Sequence, residues 1–161
     1  MTPFVSILTP VHVAISLVGI LTGFVVVFDM LSSSSLDGWT KIFLHSTLLT
    51  SLTGFLYPIH GITLGIILGI LSLIVLAIAY PARYKFAMAG HWRATYVITA
   101  IIALYFNCFV LVAQLYEKVP ALHALAPMNS EPPFKFTQLA VLLLFFILGI
   151  LSSIKFHPAK S

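Results

Sequence analysis

The stretch GITLGIILGILSLIVLAIAY, residues 61–80, contains no charged residue and decides the fold class of the chain. It has the length of about 20 mostly apolar residues that an α-helix needs to cross a bilayer. The whole chain has the same character, since 60% of its 161 residues are hydrophobic, only 7% are charged and the mean hydropathy is +1.11. An ordinary globular domain is about 25% charged. We therefore predict an integral membrane protein rather than a water-soluble domain.

Four further stretches resemble this one, so the sequence predicts an all-α bundle of five transmembrane helices in a single domain, residues 1–161. The first span is expected to begin with Thr9 as its N-cap and Pro10 at the first helical position. Pro58 ends the second span and Gly61 opens the third; alternatively, these two spans form one re-entrant hairpin. The predicted spans are 10–31, 40–57, 61–80, 92–115 and 137–156, and the long outer loop is 116–136.

The basic residues predict the orientation, because Lys and Arg accumulate on the cytoplasmic side of a membrane. Five alternating spans place six of the eight basic residues on one side: Lys41, Arg83, Lys85, Arg93, Lys155 and Lys160. Only Lys118 and Lys135 fall on the other side. This bias predicts an N-terminus outside and a cytoplasmic C-terminus. The net charge of +4 comes from scattered residues that form no patch of the kind that binds nucleic acid.

Small and polar residues within the spans predict how the helices associate, since helices in lipid pack through small residues and interhelical hydrogen bonds. Asn107 falls near the middle of span four, where a side-chain amide must find a partner. We expect it to bond to Thr50 or Thr53 of span two; alternatively, it faces a ligand or a water-filled cavity. Glycines at intervals of four residues favour packing seams in spans three and one: Gly61, Gly65 and Gly69, and Gly19 and Gly23.

The six histidines lie at the edges of the apolar stretches, and the outer three are His12, His60 and His123. Imidazole is the commonest metal ligand, and three histidines with an open coordination position suit Zn or Cu. We expect the loop, with a short helix at 119–125, to bring the three rings together. Glu131 and Gln114 are further candidate ligands. Alternatively, the three are independent interfacial residues, or they contact haem b or a quinone.

The remaining ionisable residues predict little chemistry. The inner histidines, His45, His91 and His157, are interpreted as interfacial anchors, and Asp29 is expected to pair with Lys41 or Arg93. The sequence has no nucleophile elbow, glycine-rich phosphate loop or carboxylate pair, so no catalytic residue is predicted. The spans have no central ionisable group, which argues against proton-coupled transport. The single cysteine, Cys108, lies in an apolar stretch and is interpreted as a buried hydrophobic residue.

Three segments resemble those of small bacterial inner-membrane proteins that have no established activity. The segments are FLYPIHG at 55–61, KVPALHALAP at 118–127 and SEPPF at 130–134. This resemblance implies a multi-pass protein of the bacterial cytoplasmic membrane and carries over no catalytic residue.

We hypothesise a metal-binding or redox-associated module with a histidine cluster at the outer membrane face. The first alternative is an accessory subunit of a larger, respiratory-type membrane complex that docks through its glycine-rich helix faces. The second is an electron carrier that binds haem b or a quinone.

Overall fold

The computed structural model describes residues 3–34, 36–58, 61 and 63–158, and this part of the chain consists of helices and turns without a β-strand. The predicted all-α class is therefore confirmed there, while His60 and Lys160 lie outside the described residues. The helices are α1, Pro3–Leu31; α2, Asp37–Gly54; α3, Leu64–Tyr80, which a π-helical turn extends over Pro81–Lys85; α4, His91–Lys118; α5, Pro120–His123; and α6, Pro132–Lys155.

Four described helical segments are long and apolar enough to cross a membrane: Pro3–Leu31, Leu64–Lys85, His91–Lys118 and Pro132–Lys155. Their most apolar 18-residue windows have mean hydropathies between 2.2 and 2.5. These segments confirm four of the five predicted spans in length and composition. The remaining one, α2, is a helix of 18 residues but does not belong to this set, so the fifth span stays a prediction.

Two predicted helix starts were wrong, because the prediction misassigned a proline in each case. Pro10 was predicted to start the first helix, and Pro132 was predicted to lie in the loop before the last one. Helix α1 begins at Pro3, and Pro10 lies inside it. Thr9 does not cap the helix, since its hydroxyl donates to the carbonyl of Val5 at 2.9 Å. Helix α6 begins at Pro132 rather than at residue 137. In both helices a proline occupies the first turn, where its missing N–H costs no hydrogen bond.

Other boundaries also differ from the prediction. Helix α2 covers Asp37–Gly54 rather than residues 40–57, so it ends before it reaches Pro58. Helix α3 begins after Thr63 rather than at Gly61, because the Thr63 hydroxyl caps the helix by accepting a hydrogen bond from the amide of Ile66 at 3.3 Å. The loop helix α5 is present but covers only Pro120–His123, which is shorter than the predicted 119–125.

Successive long helices run in opposite directions, so the bundle has two ends. At the Arg83 end, named for its buried arginine, the amide of His157 donates to the Ser33 hydroxyl at 2.8 Å and so joins α1 to α6. At the Tyr57 end, the Tyr57 hydroxyl donates to Thr9 at 3.3 Å and joins α2 to α1. Helix α4 is central, since it contacts the other five helices and half of its apolar window is buried, against 17% for α3 and α6.

Two glycines of α1 allow a close approach to α2 and α4. A Cβ atom at Gly19 would lie 3.4 Å from the Thr47 hydroxyl oxygen, and one at Gly23 would lie 2.9 Å from the Phe43 ring and 2.5 Å from Leu104 Cδ1. The α1 pair therefore forms a packing seam, as the sequence indicated.

The substitution Gly23→Ala is expected to destabilise the bundle by about 1–3 kcal/mol. The added methyl group would overlap Phe43 and Leu104, which are 1% and 0% exposed and have no space to move. The measurement is the free energy of unfolding in mixed micelles. Gly149→Ala is the matched control, because its Cβ would lie at an ordinary 3.6 Å from Ile101. Equal stability of the two variants would contradict this packing.

Candidate functional site

His12 is the predicted ligand whose surroundings the structure defines best. It lies in α1 at the Tyr57 end, is half-buried, and points towards α2. Its Nδ1 lies 2.8 Å from the Thr53 hydroxyl oxygen, and its ring meets the Tyr57 ring edge to face at 5.6 Å. Antiparallel packing of α1 and α2 produces this arrangement, and Gly54 leaves space beside the imidazole.

The hydrogen bonds of Thr53 favour one tautomer of His12. The Thr53 hydroxyl donates its single proton to the carbonyl of Leu49 at 2.7 Å, as a threonine in a helix commonly does. In this arrangement its oxygen accepts from His12, which favours the tautomer with the proton on Nδ1 and a lone pair on Nε2. No described residue forms a hydrogen bond with Nε2. This is the state in which histidine binds a metal, with one ring nitrogen held by an oxygen and the other free to coordinate.

The other predicted ligands are placed differently. His60 lies outside the described residues, and His123 is exposed at the end of α5. Glu131 accepts hydrogen bonds from the backbone amides of Ser130 at 3.0 Å and Met128 at 3.2 Å. These backbone hydrogen bonds, that of Ser130 first, lower the pKa of its carboxyl group and keep it ionised.

Gln114 donates to the Glu117 carboxylate at 3.1 Å, so it and Glu131 both have protein partners of their own. Among the residues that the structure describes, no group of three or more His, Cys, Asp or Glu side chains lies close enough to hold a metal. The three-histidine cluster depends on His60 and stays a prediction. The same holds for haem b, which needs a second histidine facing His12.

The inner histidines lie at the Arg83 end. His45 Nδ1 is 2.7 Å from the carbonyl of Lys41 in its own helix, and its ring meets the Tyr80 ring edge to face. His91 lies beside the Trp92 ring. His157 follows α6 and bonds through its backbone to Ser33. Each of the three contacts a neighbouring helix end or an aromatic ring, and the structure does not bring them together.

A polar seam runs along the buried face of α2 and consists of four buried hydroxyl residues: Thr40, Ser46, Thr47 and Ser51. Ser51 donates to Ser72 of α3 at 3.0 Å. Asn107 of α4 donates to Thr47 at 3.2 Å. The expected interhelical bond of Asn107 is therefore present, but its partner is Thr47 rather than Thr50 or Thr53, because the register of α4 against α2 is set by packing.

The Arg83 end contains an ion pair between a buried arginine and an exposed aspartate, which the sequence did not reveal. Arg83 is 6% exposed, pairs with the Asp37 carboxylate of α2, and lies 5.2 Å from the centre of the Tyr96 ring. Its guanidinium also lies 3.2 Å from the Met88 sulfur. Arg83 therefore joins α2, the π-helical turn and α4. The sequence signal that could have revealed this pair was Asp37, a single acidic residue at the start of α2 on the same predicted side of the membrane as Arg83.

Asp29 does not form the ion pair expected from the sequence. Its carboxylate is buried and accepts hydrogen bonds from the Ser34 hydroxyl and, at 2.6 Å, from the backbone amide of Leu36. Arg93, one of its predicted partners, donates instead to carbonyls at the end of α6. The prediction was wrong because the turn after α1 folds back over Asp29, which orders the connection to α2.

Comparison of the chain with protein-family models, with curated proteins and with solved structures gives no match. The fold alone therefore defines the class of the protein, which is a helical membrane protein. The site that the described residues define is the imidazole of His12 between α1 and α2.

A double-mutant cycle tests the polar seam. Asn107→Leu combined with Thr47→Val is expected to show a coupling free energy of about 0.6 kcal/mol, and at most about 1.7 kcal/mol, as is typical of hydrogen bonds between membrane helices. The measurement is unfolding in mixed micelles. Asn107→Leu with Thr99→Val is the control, since the Thr99 hydroxyl bonds only within its own helix. A coupling equal to that of the control would rule out the Asn107–Thr47 bond.

Proposed function

We propose that this chain is a five-span protein of the bacterial cytoplasmic membrane, with its N-terminus outside. Its Tyr57 end then faces outwards and acts as a metal-binding module. In this proposal His12, His60 and His123 hold one Cu or Zn ion beneath the outer loop. The observation that carries it is the contact between His12 Nδ1 and the Thr53 hydroxyl, which leaves Nε2 without a hydrogen-bond partner among the described residues, in a half-buried position.

The distribution of side chains around α2 supports its role as the fifth span. The apolar residues Ile42, Leu49 and Leu52 are 45–47% exposed, whereas the hydroxyl side chains of the polar seam are buried. A helix on the surface of a water-soluble protein has the opposite arrangement. Eighteen residues rise about 27 Å, which suits a hydrocarbon core near 30 Å. The low hydropathy of α2 comes from Asp37, Lys41 and His45 in its first half and from hydroxyl residues, several of which face the other helices.

The surroundings of His12 suit coordination better than anchoring. An interfacial anchor keeps its polar atoms towards water and headgroups, whereas the ring of His12 is held by Thr53 and Tyr57 on a neighbouring helix. Tyr57 is followed by the short connection that carries His60, so the second proposed ligand comes from the chain that leaves this contact. His123 would complete the site from the loop helix α5.

One observation favours a second candidate function, that of an accessory subunit of a larger membrane complex. A Cβ atom at Gly65 of α3 would meet, among the described residues, only the Thr63 hydroxyl at 3.7 Å. By contrast, a Cβ atom at Gly69 would lie 3.1 Å from the Phe55 ring of this chain. The outer half of α3 therefore presents a small residue that no other described helix covers, and close approach at such a position is how membrane helices associate.

Cysteine accessibility tests the topology. In a Cys108→Ala background, Leu56→Cys and Met128→Cys should react from outside intact cells with a membrane-impermeant maleimide. Ser32→Cys should react only after permeabilisation, because α2 separates residues 32 and 56 across the bilayer. Labelling of Ser32→Cys and Leu56→Cys from the same side of the membrane would contradict the fifth span.

Metal analysis of the purified full chain tests the proposed site. After incubation with Zn²⁺ or Cu²⁺ and desalting, the protein should retain about one ion, as three histidine ligands with an open position predict. His12→Ala should abolish retention, and Thr53→Val should weaken affinity about 10–100-fold by removing the acceptor for Nδ1–H.

The control variants remove the same chemical groups at positions away from the proposed metal site. His45→Ala removes an imidazole from the Arg83 end, and Thr22→Val removes a hydroxyl that bonds only within α1. Both should bind as the wild type does. The site would be refuted if the wild type retained no ion, or if His12→Ala and His45→Ala behaved alike.

A further inference from the structure

An apolar groove lies between α4 and α6 on the outside of the bundle. Its volume is about 490 Å³, within the range of about 300–1,000 Å³ of ligand pockets in proteins. Ile98, Phe146 and Ile150 on its walls are 46–66% exposed. Gly149 lies opposite Ile101, and the groove is deep at this point because Gly149 has no side chain. The groove therefore opens towards the space that lipid occupies around a membrane helix.

A guanidinium group lies next to the end of the groove at the Arg83 end. Ser153 lines the groove, and its carbonyl accepts a hydrogen bond from Arg93 Nη1 at 2.9 Å. The same nitrogen donates to the carbonyl of Phe156 at 2.6 Å. These two bonds fix the guanidinium at the end of α6. Nε and Nη2 of Arg93 have no hydrogen-bond partner among the described residues, so they are available to an outside acceptor.

The charge around Arg93 favours an anionic ligand. Lys155 follows the groove residue Ile154 in α6 and adds a second positive charge at the same end. The carboxylates of this end are engaged elsewhere, since Asp37 pairs with Arg83 and Asp29 bonds within its own turn. The other two acids of the chain, Glu117 and Glu131, lie at the Tyr57 end. No described carboxylate therefore competes for Arg93.

We propose that the groove binds an anionic phospholipid, with an acyl chain between α4 and α6 and the phosphate on Arg93. Basic pockets between transmembrane helices bind anionic headgroups, and a guanidinium presents two parallel donors that match a phosphate. An apolar groove with a fixed guanidinium next to its end fits the two parts of such a lipid. This site is separate from the proposed metal site, which lies at the opposite end of the bundle.

Native mass spectrometry of the full chain in detergent tests the headgroup contact. The chain is titrated with phosphatidylglycerol or with phosphatidylcholine that carries the same acyl chains. Wild type should retain phosphatidylglycerol in preference, and Arg93→Gln should weaken its binding about fivefold, the effect expected of one basic residue near the surface. Lys41→Gln, which removes another cation of the same end from α2, should leave the preference unchanged.

Groove-filling variants test the acyl-chain contact and do not depend on Arg93. Ile150→Trp should reduce retention of both lipids, whereas Ile74→Trp, on an exposed position of α3, should not. Arg93→Lys keeps the charge but not the paired donors, and should lower the preference even if Arg93→Gln fails to fold.

Three results would overturn the proposal. The first is that the wild type retains the two lipids equally. The second is that Ile150→Trp retains as much lipid as the wild type. The third is that the wild type forms a dimer without lipid and that Ile150→Trp dissociates this dimer. The last would assign the groove to a second copy of the chain. None of these results depends on metal binding, so the lipid site and the metal site can fail separately.

Discussion

The structure depends on one constraint, which is that polar groups of helices in a hydrocarbon environment must find partners within the protein. Helix α2 carries hydroxyl side chains along one face and turns that face inwards. The Thr53 hydroxyl donates to a carbonyl in the preceding turn, which leaves its oxygen to accept from a neighbour. Thr53 thereby holds the ring of His12, so the hydrogen-bonding requirement of helices in lipid also orients the imidazole at the candidate site.

The two ends of the bundle are stabilised by different interactions. The Arg83 end uses charge, since Arg83 joins α2 to α4 through Asp37 and Tyr96, and Arg93 caps the end of α6. The Tyr57 end uses hydroxyl and aromatic contacts, among them Tyr116 against Phe134 and Thr137. Ligands with different chemistry are proposed for the two ends accordingly, a cationic metal at the imidazole end and an anionic lipid at the guanidinium end.

Apolar length predicted the helices well, because a run of about 20 apolar residues has few alternatives to a membrane helix. It did not place the helix starts, since Pro3 and Pro10 are equally good first-turn residues when the sequence is considered alone. Hydrogen-bond partners on neighbouring helices could not be predicted either. The amide of Asn107 had several threonines of α2 as possible partners, and only the packing at Gly19 and Gly23 selects Thr47. The Arg83–Asp37 pair depends on a turn geometry that no local pattern encodes. At the candidate site, the inward position of His12 was predictable and its hydrogen-bond partner Thr53 was not.

The inward polar face of α2 is the central claim, and a spin label at Leu49 tests it most directly. Leu49 lies in the second half of α2 and is 47% exposed on its apolar face. In vesicles of the full chain with Cys108 replaced by Ala, the label should collide more often with oxygen, which concentrates in hydrocarbon, than with a water-soluble nickel complex. Greater access of the nickel complex would place this face in water and contradict the claim, and so would protection from both reagents.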